Sequence, residues 1–276
     1  SNAVSVILGL PGGGFSAPTS AAVGVRPYDI QSADLDEDGN EDIVVSNQNG
    51  QSISFLRGMG DGTFQSAVHY GTGSYPYKIA LGDLDADGIL DLAVANGGNA
   101  TVTILRGNGS DGLGNGTFAP PLTLFAGGVP RSVTIGFFND DDLLDLVVTE
   151  YGGNVGIMIG LGNGLFLGPY LYRMGGHPTD VPVGDFNGDS KLDVAVVRYA
   201  ESGEIAVLLN ECGNPPPGPE PIVTDVRDVG NDQGRHVLVS WKRSALDWPG
   251  QSTITGYRVW RLSDTAVWEE QGTVPA

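Results

Sequence analysis

Four short apolar runs recur along the first three-quarters of the chain: Ile43-Val44-Val45, Leu92-Ala93-Val94-Ala95, Leu146-Val147-Val148 and Val194-Ala195-Val196-Val197. A strand with one wet face alternates polar and apolar side chains, so an unbroken run predicts a strand covered on both faces. The same order of elements surrounds each run. In the second copy, residues 77–82 form a first strand that leads into a polar loop, and 92–95 form the second. Asn96-Gly97-Gly98-Asn99 turns the chain, 101–105 form a third strand, a glycine-rich turn follows, and 119–125 form a fourth. Three markers keep this register in four copies. Residues 34, 83, 137 and 185 open the polar loop; Phe15, Phe64, Phe118 and Phe166 precede it by 19 residues; and Pro27, Pro76, Pro130 and Pro178 by seven. The steps are 49, 54 and 48 residues, the long one arising from a longer turn at 107–118. Four-stranded units at such a period, covered on both faces, predict an all-β protein, a β-propeller of four-stranded blades over residues 4–210 with four repeats visible. Strands of the third type stand at both ends, at 4–8 and 205–209. A fragment, a small ring, and half of a ring completed by self-association with another copy all remain open.

Beyond the repeats the pattern changes. Residues 211–221 are proline-rich and predict a stiff linker. In 222–276, which holds all four tryptophans, alternating segments at 222–226, 236–241 and 253–261 predict a partial β-sandwich, too short for seven strands.

Composition narrows the chemistry. Forty-three glycines and only 17% charged residues suit a turn-rich β protein. A net charge of −19 argues against nucleic acid as a partner. There is no run of 18 apolar residues, hence no predicted membrane span, and the single cysteine, Cys212, cannot form an internal disulfide. The histidines, His69, His177 and His236, read as surface residues, and no nucleophile or metal-hydrolase motif accompanies them, so the chain is not predicted to be an enzyme.

Seventeen of the 33 acidic residues fall in the four polar loops. Carboxylates crowded so closely repel one another unless a cation sits among them. In loop one the predicted ligands are Asp34, Asp36, Asp38, Asn40 (by its backbone carbonyl) and Asp42. Loop two offers Asp83, Asp85, Asp87, Ile89 (carbonyl) and Asp91, and loop four Asp185, Asn187, Asp189, Lys191 (carbonyl) and Asp193. Oxygens at positions 1, 3, 5, 7 and 9 suit Ca2+ better than Mg2+, which keeps more water. An EF-hand is excluded, because position 12 is Val45, Val94 or Val196 within a strand rather than a bidentate Glu. Loop three keeps Asn139, Asp141 and Asp145 but opens on Phe137 and replaces the bending glycine with Asp142. The bend is expected to survive, since Asp tolerates the left-handed region, while the missing ligand weakens or abolishes binding. Ca2+ is therefore expected at loops one, two and four.

These loops, with the Gly-Asp-Gly-Thr-Phe and Gly-Asn-Gly-Thr-Phe turns, resemble the FG-GAP/VCBS repeats of integrin α-type propellers over residues 4–210, in the bacterial VCBS variant that lacks the literal Phe-Gly and Gly-Ala-Pro signature. The resemblance implies calcium in the loops, a secreted or cell-surface setting, a bacterial origin, and binding of a protein or sugar ligand rather than catalysis. Residues 237–241 and 254–260 resemble two strands of a fibronectin type III domain.

In such a blade the acidic loops and glycine turns fall at one end. The proline-bearing turns fall at the other, with Arg26, Tyr28, Tyr75, Tyr77, Arg131, Tyr151 and His177, residue types that commonly anchor binding surfaces. The expected function is a calcium-binding adhesion or protein-interaction module; a carbohydrate-binding module, or the non-catalytic part of a larger secreted enzyme, are the alternatives.

Overall fold

The computed structural model describes residues 2–139, 141–199 and 204–210, and four strand segments beyond them at 223–228, 237–241, 257–262 and 268–274. It divides into two compact units, Ser1–Gly213 and Asn214–Ala276.

The first unit opens with the antiparallel pair β1 (Ala3–Val6) and β2 (Thr19–Ala22). The first complete repeat is the sheet of β3 (Pro27–Ala33), β4 (Asp42–Asn47), β5 (Ser52–Leu56) and β6 (Val68–Gly71), in that order. The second has β7 (Pro76–Gly82), β8 (Asp91–Asn96) and β9 (Thr101–Leu105), then a side hairpin of β10 (Gly107–Ser110) and β11 (Leu113–Phe118), then β12 (Leu122–Phe125), which pairs with β9. The third is β13 (Pro130–Gly136), β14 (Asp145–Glu150), β15 (Asn154–Gly160) and β16 (Phe166–Arg173). In the fourth the first strand is interrupted: β17 (His177–Asp180) and β18 (Val183–Gly184) both pair with β19 (Asp193–Tyr199), and β20 (Glu204–Leu208) lies on its other side. All elements among the described residues are strands.

Two expectations need adjusting. The stretch 107–118 is a hairpin rather than a long turn, with Gly107 opposite Phe118 and Asn108 opposite Thr117; twelve residues are enough for the insertion to satisfy its own backbone groups. The fourth strand of the second repeat is confined to Leu122–Phe125.

The core lies between successive sheets. Every residue of β4, β8 and β14 is buried, as their unbroken apolar runs require. Val44, Ile53 and Phe55 of the first repeat pack with Ile79, Leu92 and Val94 of the second. Ala93, Ala95, Val102 and Ile104, on the opposite face of the second sheet, pack with Val133, Leu146 and Val148 of the third. Polar ties join neighbouring sheets: Ser46 donates to the Tyr77 carbonyl, Asp29 accepts from the Ile79 amide, and Ser132 donates to Asp180. The fourth sheet has no following repeat among the described residues. Val197, Ile205 and Val207 there are 45%, 72% and 49% exposed, whereas Ala95, Val102 and Ile104, in the same register, are fully buried.

The second unit contains two antiparallel pairs, β21 (Val223–Asp228) with β22 (Val237–Trp241) and β23 (Tyr257–Leu262) with β24 (Trp268–Val274). These are two separate two-stranded sheets, so the fibronectin type III-like reading gains no support from the pairing. The linker 211–221 with Cys212, and Trp248, lie outside the described residues.

Candidate functional site

Each acidic loop joins the first and second strands of a sheet, and its carboxylates first build the loop itself. In loop one Asp34 accepts the amides of Asp38 and Gly39, at 3.1 and 2.9 Å. In loop two Asp83 accepts those of Asp87 and Gly88, at 3.0 and 2.9 Å. In loop four Asp185 accepts those of Asp189 and Ser190, at 3.2 and 2.8 Å. The carboxylate at position 5 in turn accepts the amide of position 7: Asp38 from Asn40, Asp87 from Ile89, Asp141 from Leu143 and Asp189 from Lys191.

This wrapping needs left-handed backbone at position 6, supplied by Gly39 and Gly88, by Asp142 at φ 57° as expected, and by Ser190 at φ 69°. Position 4 is left-handed too, at Glu37, Ala86 and Gly188, which sequence reasoning missed because only Gly188 signals it. Phe137 cannot play the part of Asp34, so the Asp141 amide keeps only the Asn139 side chain, 3.2 Å away, a position-3 bond that the Asp38 and Asp189 amides make in addition to their bond to position 1.

Position 9 has a second task that the spacing did not reveal. Asp42 accepts the amides of Leu35 and Gly58, Asp91 those of Leu84 and Gly107, Asp145 those of Phe138 and Gly160, and Asp193 those of Phe186 and Asn210. Each carboxylate thus clamps the start of its loop to the end of its third strand with both oxygens. All four are fully buried. Burial pushes Asp91 up to about 7 and Asp145 to about 6, against the amide bonds that lower them, and raises Asp42 in the same way.

The carboxylates gather as a cation requires at two loops. Oxygens of Asp34, Asp36 and Asp42 lie within 4.8 Å of one another, as do those of Asp83, Asp85 and Asp87. Asp85 Oδ1 is buried and accepts no hydrogen bond. Convergent hard oxygens, one of them orphaned, fit Ca2+. Among the described residues no third cluster of three carboxylates forms; in loop four Asn187 stands at position 3, which Asp36 and Asp85 fill in the two clusters.

At the other end of the sheets the predicted surface residues meet. Tyr28 and Tyr77, each following the marker proline, stand edge to face with ring centres 5.0 Å apart. Arg131, in the same place one repeat on, lies 4.5 Å from the Tyr77 ring centre and 5.0 Å from that of Tyr151. Tyr151 stacks on His177 at 4.2 Å, and the His177 ring bonds the Tyr151 carbonyl at 2.7 Å. Side chains from four repeats therefore form one continuous row of rings and a guanidinium. Arg131 forms no ion pair among the described residues, and its Nε is buried without a partner. Arg26 and Tyr75 are not in this row; both have left-handed backbone and spend their carbonyls on the amides of Gln48 and Gly97.

Glu150 closes β14 beneath the row and is almost wholly buried. Its Oε2 accepts from Asn154 at 3.0 Å while Oε1 has no partner, and burial raises its pKa. Because its folded pKa lies above the unfolded value, the stability it contributes is full below the unfolded pKa and is lost as pH rises through the folded one. Glu150→Gln is accordingly expected to be more stable than the parent above neutral pH by roughly 1 kcal/mol, with the gap closing toward pH 4, in urea titrations across pH. A constant gap at every pH would exclude this account.

Residues 34–94 and 138–196 match the FG-GAP-like repeat family. No curated protein sequence matches the chain. Among solved structures it is similar to BBS1N in complex with ARL6DN, with a TM-score of 0.50 and 16% identity over 76% of this chain and 60% of that one. It is also similar to a putative 6-phosphogluconolactonase from Bacteroides uniformis, with a TM-score of 0.52 and 12% identity over 99% of this chain and 78% of that one. The chain thus spans about 60% of the BBS1N chain it matches, and at these identities the likeness is one of fold. The protein carries FG-GAP-like repeats at 34–94 and 138–196 within an all-β, propeller-type framework.

Proposed function

We propose that this chain is a calcium-stabilised, non-catalytic binding module of a secreted or surface protein, and that it recognises its partner through the Tyr28–Tyr77–Arg131–Tyr151–His177 row. The observation that carries the reading is the separation of the two ends. Carboxylate clusters suited to Ca2+ occupy the loop end, while the aromatic row occupies the other and spans all four repeats. Calcium holds the loops in shape, and recognition falls to Tyr and Arg side chains that bury much area at little entropic cost.

The partner is a protein in the preferred reading. A glycan is the second reading, favoured by the exposed rings of Tyr28 and Tyr151, which offer faces for stacking. A glycan array and a surface-protein library, each screened with calcium-loaded protein, distinguish the two. Tyr77→Ala removes the rung between Tyr28 and Arg131 and is expected to weaken binding of the identified partner at least about tenfold while leaving the melting temperature within a few degrees. Unchanged affinity in that variant would remove the row from the recognition surface.

A further inference from the structure

The residue before each clamp-bonded amide differs between repeats in a way that matters to the loops. It is Arg57 in the first repeat and Arg106 in the second, but Ile159 in the third and Leu209 in the fourth. Arg57 Nη1 lies 2.5 Å from Asp36 Oδ2, and Arg106 Nη1 lies 3.4 Å from Asp85 Oδ2. Both arginines therefore pair with position 3 of their own loop, in the two loops whose carboxylates converge. The Asp36 side chain is only 2% exposed, so without Arg57 it would be a buried, unbalanced charge.

Each arginine also reaches the following repeat. Arg57 Nη2 donates to the Asn115 carbonyl at 3.2 Å, and the glycine turn holding Asn115 sends the Gly116 amide back to the Leu35 carbonyl of loop one. In the next pair the Gly164 amide bonds the Leu84 carbonyl of loop two, and a Cβ on Gly164 would stand 3.0 Å from Arg106 Cδ.

We infer that Arg57 and Arg106 are resident counter-ions of loops one and two: they neutralise the third-position carboxylate when no divalent cation is bound, keep those loops docked on the next repeat, and lower the loops' calcium affinity. The inference rests on the calcium reading of these loops. A guanidinium within ion-pair distance of a ligand carboxylate attracts the same oxygens as Ca2+ and repels the ion, and the hydrogen bond of Arg57 to the neighbouring repeat gives it a place whether or not the ion is present. These are positioning residues, acting on the ion through Asp36 and Asp85.

Calcium titration by calorimetry, with melting curves in calcium and in chelator, tests this on the full chain for the parent, Arg57→Met, Arg106→Met, and Arg57→Lys. For each Met variant the expected result is binding about tenfold tighter at the affected loop, a lower melting point in chelator, and a wider gap between the chelated and loaded forms. Arg57→Lys, which keeps the charge, stays near the parent. Unchanged or weaker calcium binding in the Met variants, with melting lowered equally in both conditions, would reduce the arginines to structural staples and overturn the inference. A parent that binds no calcium would instead remove the calcium reading itself, and the inference with it. Should Arg57→Met fail to fold, Arg106→Met carries the same test on loop two, where the pair is more exposed.

Discussion

Chelation of calcium is expected to lower the melting temperature of the repeat unit by roughly 10–20 °C, the largest effect of any change of solution conditions. A ligand held only by the folded state stabilises it by about 2.7 kcal/mol per site at a hundredfold excess over its dissociation constant, so two sites contribute on the order of 5 kcal/mol. In a unit of this size each kcal/mol moves the midpoint by about 2–4 °C. The carboxylates make the sign unambiguous. Asp34, Asp36 and Asp42, and likewise Asp83, Asp85 and Asp87, are held within 4.8 Å of one another by bonds to the loop backbone, so their mutual repulsion is built into the fold and is relieved by a divalent cation. Calorimetric melting in calcium, in magnesium and in chelator decides the matter. Identical midpoints in calcium and chelator would end the case for these loops as calcium sites. A combined Asp34→Asn and Asp83→Asn variant is expected to lose most of the shift.

The second large effect is expected from Asp145→Ala, which should destabilise the unit by roughly 2–5 kcal/mol, and equally so with and without calcium. Asp145 is fully buried and accepts two backbone amides, from Phe138 at 3.0 Å and Gly160 at 2.8 Å. Alanine leaves both amides buried without acceptors and opens a small void at the foot of β14, the two costs that make such substitutions severe. Loop three is the right place for the test because Phe137 deprives it of the first ligand, so the clamp there is separable from cation binding. The equivalent Asp91→Ala should combine loss of the clamp with loss of part of the calcium response. Urea titrations of both variants, with and without calcium, give the comparison. Near-parental stability of Asp145→Ala would show that the two amides find other partners and that position 9 is no clamp.

Much of this molecule was legible in its sequence, for reasons that particular residues make plain. A strand buried on both faces has no solvent side to encode, so Leu92-Ala93-Val94-Ala95 and its counterparts announced the middle of each sheet directly, and every residue of β8 is buried. The proline and phenylalanine markers gave the repeat because each copy must present the same faces to its neighbours. The aromatic row was visible as residue types at one blade end, since period-2 strands fix which end a turn occupies. Its membership was not. Arg26 and Tyr75 share that end but are held by left-handed backbone and carbonyl bonds in the turns themselves.

What the sequence by itself determined is local and periodic: strands covered on both faces, their order, the repeat, and the acidic loops. Each follows from backbone geometry and the burial of apolar runs, which neighbours along the chain suffice to specify. The tertiary structure alone decided which carboxylates of a loop gather: positions 1, 3 and 9 in loop one, and 1, 3 and 5 in loop two. Three carboxylates converge within 4.8 Å at loops one and two, where position 3 is Asp36 or Asp85 rather than Asn187, and where Arg57 and Arg106 supply an opposing charge from just past the third strand. It also gave the ninth-position aspartates their two hydrogen bonds, accepted from amides some seven residues before and sixteen after. Both depend on where separate strands end in space, and a Coulomb or hydrogen-bond energy is fixed by distances across the fold, which spacing along the chain does not carry.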